Sequence, residues 1–329
     1  MANEVQEKTR YFYNIDFLRF IFIMIVVYGH CIGSINAVCA DTKFINILIK
    51  KSEMASTMAV CSFFMLGGYF LYNSFLKNPH PDTKLYALKR ILRLWPLLLF
   101  SHLIILCAGM FTYADFLNIF FINNGLGLLL RASGNPASYF ICVLLIISIF
   151  YYFVIKNTDE KWTAFICSIS AFIGYAFMGL HYNLESYWVI VPGLNFCTWG
   201  MLIGFTNVSL GILIAILTKN LTDFNLKLKG KIFFTVLEVS LFSYIMYYSL
   251  MHKSKVTVLI FWVFLSVILL LLFIIKQGYF SKLLDCNFSK SLGACSYSIF
   301  ITHYPIIKIL KKILANGGNP YGGGGTAFT

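Results

Sequence analysis

Apolar stretches of about twenty residues recur along the chain, separated by short polar and basic segments. About 20 apolar residues, rising about 1.5 Å each as helix, cross the hydrocarbon of a bilayer. The pattern predicts spans over about 14–34, 55–76, 92–110, 138–155, 163–180, 187–218, 232–251, 257–275 and 292–314. The stretch 187–218 is too long for one simple span. Pro192, Gly193, Asn195 and Gly200 predict a broken or tilted helix there. Residues 111–137 read as an outer, partly embedded segment, because Asn118, Asn123, Asn124 and two glycines interrupt Phe116 to Leu130. The fold class predicted is all-α, a polytopic transmembrane helix bundle of nine spans. It becomes ten if 187–218 or 111–130 contributes another, and the basic loop 219–231 argues against splitting the former.

Two details sharpen the pattern. Gly67 and Gly68 inside the second span predict close helix contact or a local break. Pro96 is placed near the first turn of the third span, where a missing N–H costs least. Residues 1–315 read as a single transmembrane domain. The tail 316–329, with Gly317, Gly318 and Gly322 to Gly325, reads as disordered.

Composition agrees. Of 329 residues, 59% are hydrophobic and only 12% charged, against about 25% charged in soluble domains. The net charge of +13 would suggest nucleic acid in a soluble protein. Here the basic residues sit mainly in short loops at alternating ends of the spans, which is how orientation in a membrane is set. That predicts a cytosolic amino terminus in a bacterial inner membrane, contact with membrane lipid and no nucleic-acid partner. The first apolar run is not read as a secretory signal, since it holds Arg19 and His30 and no small-residue cleavage pattern follows. Nine cysteines occur without a Cys-x-x-Cys pair, which argues against a metal site and a disulfide framework. Cys31 and Cys39 are near enough in sequence to pair, but read as small packing residues.

Chemistry concentrates between Asp16 and His30. An ionisable group within an apolar span is costly and marks a functional candidate. At about 100° per residue, Arg19 and His30 fall within roughly 20° of each other on a helix, with Asp16 about 60° from Arg19. One face therefore carries all three, with about 16 Å along the axis between Arg19 and His30. The plain alternative is that Arg19 snorkels to headgroups and His30 ends the helix at the far interface. Asp16 lies too far down the helix to meet His30 and reads as the partner of an arginine. Imidazole titrates near neutrality, so His30 can take a proton from a hydroxyl and return it to a leaving group.

Arg90 and Arg93 are three residues apart and share a helix face. Their planar forks suit phosphate or carboxylate oxygens, and taken alone the pair reads first as ordinary anchoring at a basic membrane face. His303, His102 and Glu238 also fall inside spans and are candidates for a polar cavity. A structural histidine bonded to a neighbouring helix is the competing reading of His303. No Gly-rich phosphate loop, Gly-x-Ser-x-Gly elbow or His-Glu-x-x-His helix is present.

Four stretches together resemble the membrane acyltransferase family 3 proteins, the bacterial integral-membrane O-acyltransferases of surface glycans. They are Ile-Asp-Phe-Leu-Arg at 15–19 followed by His30, Phe-Phe-Met-Leu-Gly-Gly-Tyr-Phe-Leu at 63–71, Lys-Arg-Ile-Leu-Arg-Leu-Trp-Pro at 89–96, and Tyr-Ser-Ile-Phe-Ile-Thr-His-Tyr-Pro at 297–305. The chain departs from the family pattern at Ser138-Tyr139-Phe140-Ile141, where a tryptophan is usual, and in its nine clear spans against ten. The resemblance implies an acyl-coenzyme A donor, usually acetyl-coenzyme A, as co-substrate, and no permanently bound cofactor. It implies a hydroxyl of a surface glycan or lipid-linked saccharide as acceptor. Arg19, Arg90 and Arg93 would hold donor phosphates, and Asp16, Arg19 and His30 would form the catalytic set, with His30 as general base or acyl carrier. A secondary transporter with an intramembrane charge relay, using 187–218 as a discontinuous binding helix, and a non-catalytic partner of a glycan assembly are the other readings.

Overall fold

The computed structural model describes residues 12–36, 55–78, 82–122, 134–181, 189–219, 226–251 and 256–317. The basic segment 1–11, Cys39, read with Cys31 as a packing residue, and the glycine tail from 318 lie outside the described residues.

The elements in chain order are α1 (Tyr13–Asn36), α2 (Ala55–Lys77), α3 (Thr83–Cys107), α4 (Tyr113–Ile119), α5 (Ser138–Asn157) and α6 (Glu160–His181). They continue with β1 (Ile190–Val191), β2 (Leu194–Thr198), α7 (Trp199–Thr218), α8 (Leu228–Met251), α9 (Val256–Ile275), α10 (Tyr279–Leu283) and α11 (Asn287–Gly317). Nine of these helices are long, among the described residues. Eight, α1 to α3 and α5 to α9, are long and apolar enough to cross a membrane, as expected of an integral membrane protein. The ninth, α11, has 31 residues and carries Lys290, Lys308, Lys311 and Lys312.

Three expectations are revised. The 187–218 stretch is not one broken helix. Ile190 to Thr198 forms a small antiparallel hairpin, turning at Pro192-Gly193 with Gly193 at φ +81°, and an unbroken α7 follows. Glycine tolerates that left-handed backbone without the clash a side chain brings. Secondly, α3 begins nine residues before the predicted 92, because Asp82 caps it: its carboxylate accepts the Lys84 amide at 3.3 Å. Pro96 therefore lies well inside α3 rather than in its first turn. Arg90 and Arg93 both lie on α3, as the shared helix face requires. Thirdly, the 111–137 segment contains a seven-residue helix, α4, of about two turns, opened by a reciprocal cap in which Thr112 and Asp115 bond each other's backbone amides.

The largest interface is between α2 and α7. A Cβ on Gly68 would meet the carbonyl of Val208, and one on Gly211 the carbonyl of Met65. The two helices thus cross backbone against backbone, as the Gly67-Gly68 pair foretold. In lipid, where chains of hydrocarbon surround every face, such close approach supplies dispersion contact that burial from water cannot. Around this pair, α6 lies against α7, α1 lies against α2 and α11, and α3 bridges α5 and α11.

At one end of the bundle, the start of α1 is tied to the link between α10 and α11. The Tyr13 amide donates to Asp285 at 2.8 Å, Lys276 pairs with the same carboxylate, and Lys290 lies over the Tyr13 ring at 5.6 Å. Glu238, inside α8, is fully buried. Its carboxylate accepts the Ser281 amide at 2.9 Å and the Ser281 hydroxyl at 2.7 Å. It fastens the short α10 to α8, which supplies the partners its burial requires.

Two outcomes are expected. Gly211→Ala forces its methyl into the α2 backbone and costs about 2 kcal/mol or more, seen as a lowered unfolding temperature in detergent. Glu238→Ala strands the Ser281 donors and costs about 1–3 kcal/mol by the same measurement.

Candidate functional site

Two polar clusters lie along the contact between α1 and α11. The first surrounds Arg19. Its guanidinium pairs with Asp16 at 3.1 Å, donates through Nε to Ser296 Oγ at 2.9 Å and bonds the Gly293 carbonyl. It also lies over the Phe70 ring at 5.9 Å. Asp16 is 1% exposed. A Cβ at Gly293 would collide with the Asp16 side chain. The absence of a side chain at 293 is what lets the acid and the arginine both reach α11. A guanidinium with its charge paired and donors bonded through Nε and Nη2 is tolerated at the edge of an apolar bundle, where a bare one is not.

Arg93 approaches the same part of α11 from the other side. It is exposed, and acts electrostatically on the Tyr297 hydroxyl. That hydroxyl donates to the Leu94 carbonyl at 3.1 Å. Arg90 turns elsewhere. It donates to the Tyr86 hydroxyl at 2.9 Å, and the Tyr86 ring stacks on Tyr152 of α5 at 4.0 Å. Arg19 and Arg93 thus flank residues 293–297 of α11, while Arg90 faces α5.

The second cluster surrounds His30. Its ring lies 5.3 Å from that of His303 and 5.3 Å, edge to face, from that of Tyr304. Lys308 lies over Tyr304 at 5.7 Å. The predicted face of α1 is therefore the face turned to α11 at both levels: Arg19 meets Gly293 and Ser296, and His30 meets His303 and Tyr304. His303 Nδ1 contacts the Phe300 carbonyl at 2.5 Å. A carbonyl only accepts, so Nδ1 carries the hydrogen. Nε2 of neutral His303 then holds a lone pair, and this buried atom has no hydrogen-bond partner among the described residues.

A third group stands behind α11. His102 and Asp115 are both fully buried, with Nε2 and Oδ1 3.8 Å apart. Asp115 also accepts from Thr112 and from the Asn135 amide. Asn135 reaches α11 itself, donating to the Ile301 carbonyl at 3.0 Å. The sequence pointed to His102 but gave no sign of Asp115 or Asn135 as its companions. The Thr112-x-x-Asp115 spacing was the one available signal, and it marks a cap, not a site.

Of the candidate residues, Asp16, Arg19, His30 and His303 lie along the α1–α11 contact, with Arg93 beside it. His102 is one layer away. Glu238 is bound to α10 and stands apart. An apolar groove of 500 Å³ lies between α6, α7 and α9, lined by Phe172, Tyr175, Leu210 and Phe264 among others. None of the candidate residues lines it.

No curated protein and no solved structure matches the chain. A family match covers residues 12–329, so it takes in both polar clusters on α1 and α11 and every described helix. By that match the chain belongs to the acyltransferase family described as "Acyltransferase domain" (Acyl_transf_3), and is an acyltransferase.

Proposed function

We propose that the protein carries an acyl group from a cytosolic acyl-coenzyme A to a hydroxyl of an extracytoplasmic glycan. Acetyl-coenzyme A is the donor favoured by the family resemblance. The observation that carries the reading is the shared face of α1: an anchored arginine at one level and a histidine facing a second histidine further along. The positive-inside tendency of the basic loops supports a cytosolic Arg19 end, together with the amino terminus. Arg93 is exposed and adjacent, so it meets the anionic donor, and Arg90 extends the basic surface toward α5. Arg19, with its donors already engaged by Asp16 and α11, holds a fixed positive charge at the mouth of the path.

The thioester then lies along α1 toward His30. His30 takes the proton of the acceptor hydroxyl as its oxygen attacks the thioester carbonyl. The carbon–sulfur bond breaks, and the imidazolium returns the proton to the departing thiolate. The products are an ester on the glycan and free coenzyme A. His30 needs its lone pair for this, so the rate falls as acid protonates it.

An unbroken α7 where a discontinuous binding helix was expected removes the feature that favoured a transporter.

His30→Ala is expected to lower acyl transfer by about 10²-fold or more while the protein remains inserted. Mass spectrometry of surface glycans from cells making either form reads this directly, and an unchanged acyl mass in the variant ends the mechanism. Arg93→Ala is expected to raise KM for acetyl-coenzyme A by about tenfold, the loss of one charge-assisted contact, with little change in kcat. Titrating labelled acetyl-coenzyme A over membrane vesicles measures it, and a kcat defect with normal KM moves Arg93 out of the donor site.

A further inference from the structure

Pro305 lies inside α11, two residues after His303. Proline has no N–H, so the carbonyl of residue 301 loses the partner that an unbroken helix would supply from position 305. An unfilled carbonyl inside an apolar bundle is costly. Asn135 supplies the missing donor: its Nδ2 reaches Ile301 O at 3.0 Å. A carbonyl cannot donate, so the contact fixes which end of the amide faces α11. The same Nδ2 donates to Ser101 Oγ at 3.2 Å, and Ser101 passes its own hydrogen to the Leu98 carbonyl at 2.7 Å.

The backbone of Asn135 is itself held at both of its polar groups. Its amide donates to Asp115 at 3.3 Å, and its carbonyl accepts the Ser138 hydroxyl at 2.7 Å. Asn135, Asp115, Ser101 and His102 are all fully buried. The platform connects α3, α4 and the start of α5 to one carbonyl of α11. That carbonyl belongs to the turn carrying His303 and Tyr304, the two rings that face His30.

We propose that Asn135 is a positioning residue for the paired histidines, acting as the side-chain donor that replaces the N–H missing at Pro305. The proposal rests on His30 being the base. Asn135 touches no reacting atom in this scheme. It sets where the His303 turn stands relative to α1, and a displacement of about 1 Å at a reacting centre is worth as much as 10²-fold in rate.

The test uses the full chain in membrane vesicles with labelled acetyl-coenzyme A as donor and the vesicles' own glycan as acceptor. Asn135→Ala is expected to lower apparent kcat at least about tenfold, with KM for acetyl-coenzyme A within about twofold. Asn135→Asp keeps the shape but loses the donor, and is expected to be equally impaired. Adding Pro305→Ala to Asn135→Ala restores a backbone N–H at 305 and is expected to bring kcat back to within about threefold of wild type. A parallel readout is carbethoxylation of His303 by diethyl pyrocarbonate, followed by peptide mass spectrometry. Its rate is expected to change severalfold in Asn135→Ala and to revert in the double variant.

Wild-type kcat in Asn135→Ala, or a double variant no better than the single, overturns the proposal. If Asn135→Ala fails to insert, recovery of insertion by Pro305→Ala is the deciding result, and no recovery overturns it. If wild type transfers no acetyl group, the assigned reaction fails instead. The carbethoxylation pattern then decides the Asn135 contact alone, and an unchanged rate rejects it.

Discussion

A polar group buried in this bundle is costly unless it finds a partner within the protein, because hydrocarbon offers none. That single requirement accounts for the arrangement of the chain's least expected residues. Arg19 enters an apolar contact only with Asp16, Ser296 and a glycine carbonyl around it. Glu238 is buried because the start of α10 brings it two donors. Ile301 can precede a proline because Asn135 fills its carbonyl from another part of the fold. In each case a residue with poor prospects in lipid becomes a bond between elements distant in sequence.

The glycines serve the same requirement from the other direction. Gly293 lets α1 and α11 approach until Asp16 and Arg19 can both reach across. Gly68 and Gly211 do so for α2 and α7 without any polar group, by bringing backbone against backbone. Close approach and polar satisfaction are therefore linked. An arginine with a short reach to its partners needs a small residue opposite, and a small residue opposite is of little use unless something packs into the space.

How much of this was legible in the sequence follows from range. The long helices were visible because twenty apolar residues are a local signal, and their predicted positions largely survive. The shared face of Asp16, Arg19 and His30 was visible because helical periodicity is local too. The start of α3 was misplaced because Lys84, Lys89 and Arg90 dilute its first turns, and hydropathy does not register the Asp82 cap. Pro192-Gly193 reads from sequence as a helix break rather than a hairpin turn, since a five-residue strand leaves almost no periodic trace. Asp115 and Asn135 were missed altogether. Each is polar in a segment that reads as loop, and their partners lie up to 166 residues away.

Pro305 shows why the second half of a site can be hidden while the first is plain. The histidine two residues earlier is a visible chemical group, and the proline is a visible interruption. What makes them compatible is neither, because the donor that completes the broken helix belongs to another segment. A helix with its own N–H at 305 would satisfy Ile301 locally and need nothing from the platform. By omitting that N–H, the chain makes the geometry of the His303 turn depend on α3, α4 and the start of α5. The α1–α11 contact is thereby fixed from both sides: by Asp16 and Arg19 at one level, and from behind by Asn135 at the other. Two anchors separated along one helix define its placement against α1 better than either alone. The paired rings of His30 and His303 stand beside the second anchor.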